Sequence, residues 1–237
     1  MFLASTVRTH SVRNRYFSVL SIYRDLISQH TEVTNLCGLK LHLITPNIPI
    51  YYCHDEALLP FDNPWWGFCW PGGHALTRYI RSAPSIFNGK SVLDIGCGCA
   101  SSSIAAALAG ATKVTANDID PMVEAALELN MERNFIPKDK IQFLSDDVVH
   151  NAIDFFLQYD IIVCGDMLYD GEFSHQLMKT LVQHPCVIFG DVGRTYCPKH
   201  ISADHMLSKL EYNTDGFPYM YVFKLSRALL AENNIQI

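Results

Sequence analysis

The chain has 237 residues, 49% of them hydrophobic, and a formal net charge of −6. That length fits one α/β domain with an extension and leaves ample chain to bury a core. An acidic balance argues against nucleic acid as a partner, because phosphate contacts need a basic face. The absence of any run of about 18 apolar residues excludes membrane insertion through a transmembrane helix.

Residues 1–24 hold Arg8, Arg13, Arg15 and Arg24 and no acidic residue, so the rest of the chain is more acidic than the whole. An acidic body suits a basic protein substrate. Arg-rich, Ser-rich and acid-free is the composition of a mitochondrial transit peptide, and 1–24 is read as one. Residues 25–88 form an extension carrying an aromatic segment, and residues 89–237 form the main domain. Among the eight cysteines there is no C-x-x-C pair and no zinc spacing, so no metal site is expected.

The predicted elements begin with a short helix near Tyr23–Gln29 and an alternating strand-like run at Leu39–Thr45. The aromatic stretch Phe61–Trp70 follows, then a helix over His74–Ser82 after the Pro71-Gly72-Gly73 breaker. From Ser91 short apolar runs alternate with helical patterns. Strands are expected at Ser91–Ile95, Lys113–Asn117, Ile141–Leu144, Ile161–Gly165 and Val187–Gly190. Helices are expected at Ser102–Ala109, from Asp120-Pro121 to about Asn134, and at Glu172–His184, with Asp120 as N-cap and Pro121 at the first helical position. This alternation means βαβ units and a mostly parallel sheet. The end breaks the rhythm, with a helix over Ser202–Leu210 and a strand over Tyr219–Leu225. An antiparallel pair at the sheet's edge is expected there.

In an open α/β sheet, ligands bind at the carboxyl ends of the strands. The first strand of the alternating region ends in Asp94-Ile95-Gly96-Cys97-Gly98-Cys99-Ala100. Gly96 and Gly98 let the chain turn sharply and let a ligand lie against the backbone. A dinucleotide fingerprint fails at its third glycine, where Ser101 stands. Asp94 would repel a pyrophosphate but can meet the cationic end of a zwitterionic ligand. Asp118, about 20 residues past Gly98 at the end of the second strand, is placed to accept hydrogen bonds from ribose hydroxyls. Asp146 or Asp147, after the third, can accept from an adenine amino group.

These residues resemble the seven-strand class I methyltransferases. The resemblance extends to the electron transfer flavoprotein β-subunit lysine methyltransferases over roughly residues 30–225. It rests on W-P-G-G at 70–73, A-N-D-I-D-P at 116–121, G-D-M-x-Y-D at 165–170 and G-D-x-G-R at 190–194, in that order. The resemblance implies a Rossmann-like α/β fold: a seven-stranded mostly parallel sheet with an antiparallel edge hairpin, flanked by helices. It implies S-adenosyl-L-methionine as donor, lysines of the flavoprotein β subunit as acceptor, and residence in the mitochondrial matrix. Asp94, Gly96, Gly98, Asp118 and Trp70 correspond to the donor site, with Asp146 beside the adenine. Asp166 and Tyr169 correspond to the D-x-x-Y motif of the lysine methyltransferases. Relatives often carry a third glycine where this chain has Ala100.

A sulfonium donor is already activated, so the enzyme's task is to align nucleophile, methyl carbon and sulfur. The lysine must be neutral, which near pH 7.5–8 costs roughly 3–4 kcal/mol from a reference pKa of about 10.4. Apolar walls lower an amine's pKa by desolvating its charged form, and Trp65, Trp66, Phe68, Trp70 and Tyr169 are expected to supply them. A carboxylate favours the ammonium, so Asp166 is expected to attract and orient the lysine rather than deprotonate it. Two other readings share the donor loop: a small-molecule methyltransferase, expected to have a closed pocket, and a donor-binding adaptor without transfer.

Overall fold

The computed structural model describes residues 19–53, 55–214 and 216–236. Most of the expected transit peptide lies outside them. The described chain opens in helix α1 (residues 19–30), which runs across the boundary expected at residue 24. Ile27 is fully buried, and Arg24 pairs with Glu128 (2.9 Å) and Glu132 (2.7 Å). Residues 19–24 are therefore part of the fold.

The strand expected at Leu39–Thr45 is β2 (Leu39–Leu43), paired antiparallel with β1 (Glu32–Leu36), which composition did not reveal. A tight turn at Cys37-Gly38 joins them. The other edge of β2 is closed by side chains of α5 (Met122–Arg133) and its C-cap Asn134. Asn130 accepts from the His42 N–H (2.7 Å), while Asn134 both accepts from the Lys40 N–H (3.0 Å) and donates to its carbonyl (2.7 Å). Just beyond β2, the Ile44 N–H donates to the Gly67 carbonyl at 2.7 Å. This bond ties the aromatic segment to the hairpin.

The main sheet contains β3 (Ser91–Ile95), β4 (Lys113–Asn117), β5 (Ile141–Leu144), β6 (Ile161–Gly165), β7 (Val187–Asp191), β8 (Met206–Thr214) and β9 (Phe217–Lys224). Their order is β5-β4-β3-β6-β7-β9-β8. The first five are parallel; β9 runs antiparallel to β7 and to β8. This is the expected architecture. The strands from β3 to β6 match their predicted limits because they are short apolar runs bounded by turn residues. The strand order reverses between β3 and β6, and the crevice at their carboxyl ends is the ligand position of such sheets.

The helix expected over Ser202–Leu210 is absent, and β8 occupies its second half. From Met206 to Tyr212 half-buried and exposed residues alternate, a period of two. Lys209 also sets its ammonium 3.9 Å from the Tyr219 ring across the hairpin. A cross-strand partner and a half-buried face override the helix propensity of Ser-Lys-Leu-Glu. Beyond β9, the Ser226 hydroxyl caps a last helix, α8 (Arg227–Glu232), by accepting from the Leu229 N–H. Among the described residues no helix is long and apolar enough to cross a membrane.

Helix α2 (Pro71–Ser82) starts three residues earlier than the breaker suggested, with Pro71 at its first position. Its first turn rests directly on the sheet. A Cβ at Gly72 would collide with the Gly190 carbonyl, one at Gly190 with the Gly72 carbonyl, and one at Gly165 would lie 2.8 Å from the Gly73 Cα. Three glycines, Gly72, Gly165 and Gly190, thus let helix backbone meet strand backbone. We expect Gly190→Ala to lower unfolding free energy by about 3 kcal/mol, the upper range for overpacking, because backbone must move. Denaturant titration checks this; a change below about 0.5 kcal/mol would contradict the close-packing account.

Candidate active site

The loop after β3 lies in the crevice. Gly96, Gly98 and Ala100 all have positive φ, at +64°, +49° and +57°. A Cβ on Gly96 would collide with the Met167 sulfur, whereas one on Gly98 would meet nothing, leaving its face open to a ligand. Ala100 holds the left-handed conformation without the freedom of glycine, at a strain of roughly 1–2 kcal/mol. The departure noted in the sequence thus costs backbone strain at a position that still adopts the left-handed turn. Helix α4 (Ser101–Leu108) follows and is thin and Ala-rich, which lets it lie close to β3 and β4.

Asp94 and Asp118 converge on this loop. Asp94 is buried, and its Oδ2 accepts from the Ser103 hydroxyl at 2.6 Å. Asp118 accepts from the Gly98 N–H (3.0 Å) and the Asp120 N–H (3.1 Å), one on each oxygen. Each oxygen keeps a second lone pair for a ligand hydroxyl. Asp120 accepts from the Met122 N–H at 2.8 Å, but α5 begins at Met122, so Pro121 and not Asp120 occupies the N-cap position, one residue later than expected. Asn117, overlooked in the sequence, bridges the ends of two strands by donating to the Leu144 and Asp146 carbonyls. That bridge fixes the turn where the Asp146 side chain remains exposed, while Asp147 is used by the Val149 N–H.

The acids on the donor side share one electrostatic signature. Burial pushes Asp94 up to about 7, with Ser103 opposing and the charge of Asp118 adding. Burial also raises Asp118 and Asp120. Three carboxyls held above their ordinary range favour a ligand that brings positive charge.

The aromatic cluster divides. Trp66 is buried in the core against Phe61, and Trp65 is exposed. Phe68 and Trp70 line the pocket together with Cys69, Gly96, Gly98 and Ser101. Trp70 donates its indole N–H to the Trp65 carbonyl at 3.1 Å and packs within 6 Å of both Trp65 and Phe68. Thr77 of α2 donates to Ser101 at 2.8 Å, which locks the helix to the donor loop. No composition signal marked this pair or Ser103.

Asp166 and Tyr169 leave the end of β6 in different directions. Asp166 is buried in left-handed backbone (φ +56°). Its Oδ2 accepts from the Gly72 and Gly73 N–H groups, and its Oδ1 from Arg194 Nε (3.1 Å) and Nη2 (2.9 Å). With both oxygens engaged, the carboxylate does not face an approaching lysine as the sequence led one to expect. The Tyr169 ring is exposed and stacks on Phe173 with centroids 5.6 Å apart.

Over residues 75–184 the chain matches the family model described as Ribosomal protein L11 methyltransferase (PrmA). It is similar in fold to the SMU.776 methyltransferase complexed with SAH, with a TM-score of 0.56 and 17% identity over 82% of this chain and 56% of that one. An RNA methyltransferase assignment from Pyrococcus horikoshii gives a TM-score of 0.51 at 18% identity, over 70% of this chain and 91% of that one. Sheet order, glycine loop and paired acids define a class I, S-adenosylmethionine-dependent methyltransferase. The chain is 35% identical over 196 residues to the Electron transfer flavoprotein beta subunit lysine methyltransferase of Homo sapiens, covering 79% of this chain and 72% of that one. The Danio rerio protein of the same description is 36% identical over 75% of this chain and 70% of its own. The chain belongs to the electron transfer flavoprotein beta subunit lysine methyltransferase family.

The raised Asp94 makes donor binding depend on pH. A cationic ligand prefers the ionised carboxylate, so affinity should rise about tenfold from pH 6 to pH 8, through the value near 7. Isothermal titration should show proton release on binding, and Asp94→Asn should flatten the profile. Without donor the sign reverses. The folded value lies above the ordinary 3.8, so this group's stabilisation is complete below 3.8 and is lost as pH rises through about 7. An unchanged affinity across this range would remove Asp94 from the donor contact.

Proposed function

We infer that this protein transfers methyl groups from S-adenosyl-L-methionine to lysine side chains of the electron transfer flavoprotein β subunit. The relatives' shared description supports that acceptor. The observation that carries the reading is the open aromatic mouth beside the donor loop. Trp65 and Tyr169 are each 61% exposed; Trp65 packs on Trp70, and Phe68 and Trp70 line the pocket. Residues 25–88 wall the pocket without closing it, which suits a side chain reaching in from a folded protein. A small-molecule enzyme would enclose its substrate.

Asp94, Asp118 and the Gly96–Gly98 backbone would hold the donor, which supplies an electrophilic methyl group on a sulfonium. The chain's own residues then act on the lysine. Phe68 and Trp70 remove water from the approaching amine, which favours its neutral form. Tyr169 keeps its hydroxyl protonated, since burial and the charges of Asp118 and Asp170 raise it. A neutral hydroxyl can accept a hydrogen bond from an amine or donate one. Alignment of the amine does most of the remaining work.

We also place the protein in the mitochondrial matrix, a reading supported by the Arg-rich, acid-free composition of residues 1–24. A C-terminally tagged full chain should co-fractionate with matrix markers; recovery with the cytosol would overturn it. For the reaction, incubation of tritiated donor with the purified flavoprotein should label lysines of its β subunit. Asp118→Ala should weaken donor binding at least tenfold, roughly the loss of a charge-assisted hydrogen bond. Tyr169→Phe should leave donor binding intact and slow transfer. Label confined to small molecules in an extract would refute the acceptor assignment.

A further inference from the structure

Four donors surround the Asp166 carboxylate: the Gly72 and Gly73 amides, and Nε and Nη2 of Arg194. The two amides belong to the first turn of α2, whose partial positive charge already suits an anion. Arg194 comes from the other side, on the loop after β7. Its own N–H donates to Asp191 Oδ1 at 2.8 Å, and the Gly193 N–H donates to the same oxygen at 2.7 Å. The guanidinium carbon lies 6.0 Å from the Trp70 ring, within cation–π range. Arg194 therefore touches, directly or through Asp166, the end of β6, the start of α2 and an aromatic wall of the pocket.

We propose that Arg194 is a positioning residue for methyl transfer, one that seats Asp166 on the α2 N-terminus and cancels its charge beside the acceptor's path. This rests on the lysine-transfer reading above. A free carboxylate at the end of β6 would hold an arriving amine as its ammonium, which cannot attack a methyl group. Paired with Arg194, the same carboxylate is a structural anchor that presents no net charge. The family's D-x-x-Y motif then divides its labour: the acid holds the wall, and the tyrosine faces the substrate.

The groups around Asp166 are few. Arg194 and Asp191 face it from the β7 end, the amides of Gly72 and Gly73 from α2, and Tyr169 and Asp170 follow on its own loop. His74 comes next on α2 and responds to burial and Arg78. Asp191 is itself raised to about 6 by burial, and Asp166 adds to the rise. Removing the guanidinium would therefore leave two acids near each other without a cation.

The test uses the full chain, saturating donor and the flavoprotein β subunit, and follows kcat against pH. Arg194→Gln should displace the rising limb of the profile by about one unit to higher pH, the lower range for a nearby opposite charge. That shift lowers kcat about tenfold near neutral pH. Adding Asp166→Asn to Arg194→Gln should return the limb to its wild-type position and recover most of kcat. Arg194→Lys keeps the charge and should keep the limb in place. Donor titration and thermal unfolding of each variant report folding separately. If Asp166→Asn alone falls as far as Arg194→Gln and the double variant recovers nothing, the Asp166 charge itself serves the reaction and the proposal fails. It fails equally if the limb stays fixed in Arg194→Gln. Should Arg194→Gln not fold, the single Asp166→Asn and Arg194→Lys profiles decide: a limb held in place by Arg194→Lys and moved to lower pH by Asp166→Asn, which leaves the guanidinium uncompensated, supports the proposal, and any other pattern overturns it. A wild-type enzyme that leaves the flavoprotein unlabelled would instead refute the acceptor assignment, and the same profiles can then be taken on any lysine peptide it accepts.

Discussion

Backbone meets backbone where the first turn of α2 lies on β6 and β7, and the rest of the site is organised around that contact. Gly72, Gly165 and Gly190 permit the approach, and the Asp166 carboxylate clamps it through the Gly72 and Gly73 amides. Because α2 sits this close, Thr77 reaches Ser101 and Trp70 reaches the rim of the donor loop. A helix one side-chain layer higher would leave the glycine loop without its aromatic wall. Close packing of this kind is sensitive to single methyl groups, since protein interiors have no slack to absorb them.

Charge in the site is arranged in two compartments. On the donor side, Asp94, Asp118 and Asp120 are raised by burial, and among the described residues no basic side chain hydrogen-bonds them. This is the state expected of a site that receives its cation from the ligand. On the acceptor side, Asp166 already has its cation in Arg194, at 2.9 Å. The difference matches what each half must do. One half gains affinity from a charged donor, and the other must avoid stabilising a charged nucleophile. Burial raises all four carboxyls, Asp166 included; what separates Asp166 is the guanidinium and two amides that oppose the rise.

Much of this was legible in the chain. β3 to β6 are readable because each is a short run bounded by turn residues: β4 and β6 end in Asn117 and Gly165, β3 runs into Gly96, and β5 into Ser145-Asp146. Gly96, Gly98 and Asp118 stood out because sharp turns and strand-end carboxylates have few other uses in such sheets. β1 was missed because Glu-Val-Thr-Asn-Leu is too short and polar to signal a strand without its partner. Ser202–Leu210 reads as a helix because good helix formers compete there with the period of two that starts at Met206, and only pairing with β9 settles that competition. Trp65 and Trp66 are adjacent and chemically alike, yet one is exposed beside Trp70 and the other fills the core.

The sequence by itself determined the α/β alternation, the donor loop and the family, because these depend on local periodicity, turn chemistry and motifs contiguous along the chain. Tertiary structure alone decided the role of Asp166. Its partners come from residues 72, 73 and 194, distant in the chain and brought together only by the β6–β7 pairing and the docking of α2. A carboxylate's function follows from which donors surround it and how much water remains, and neither is written in the residues beside it.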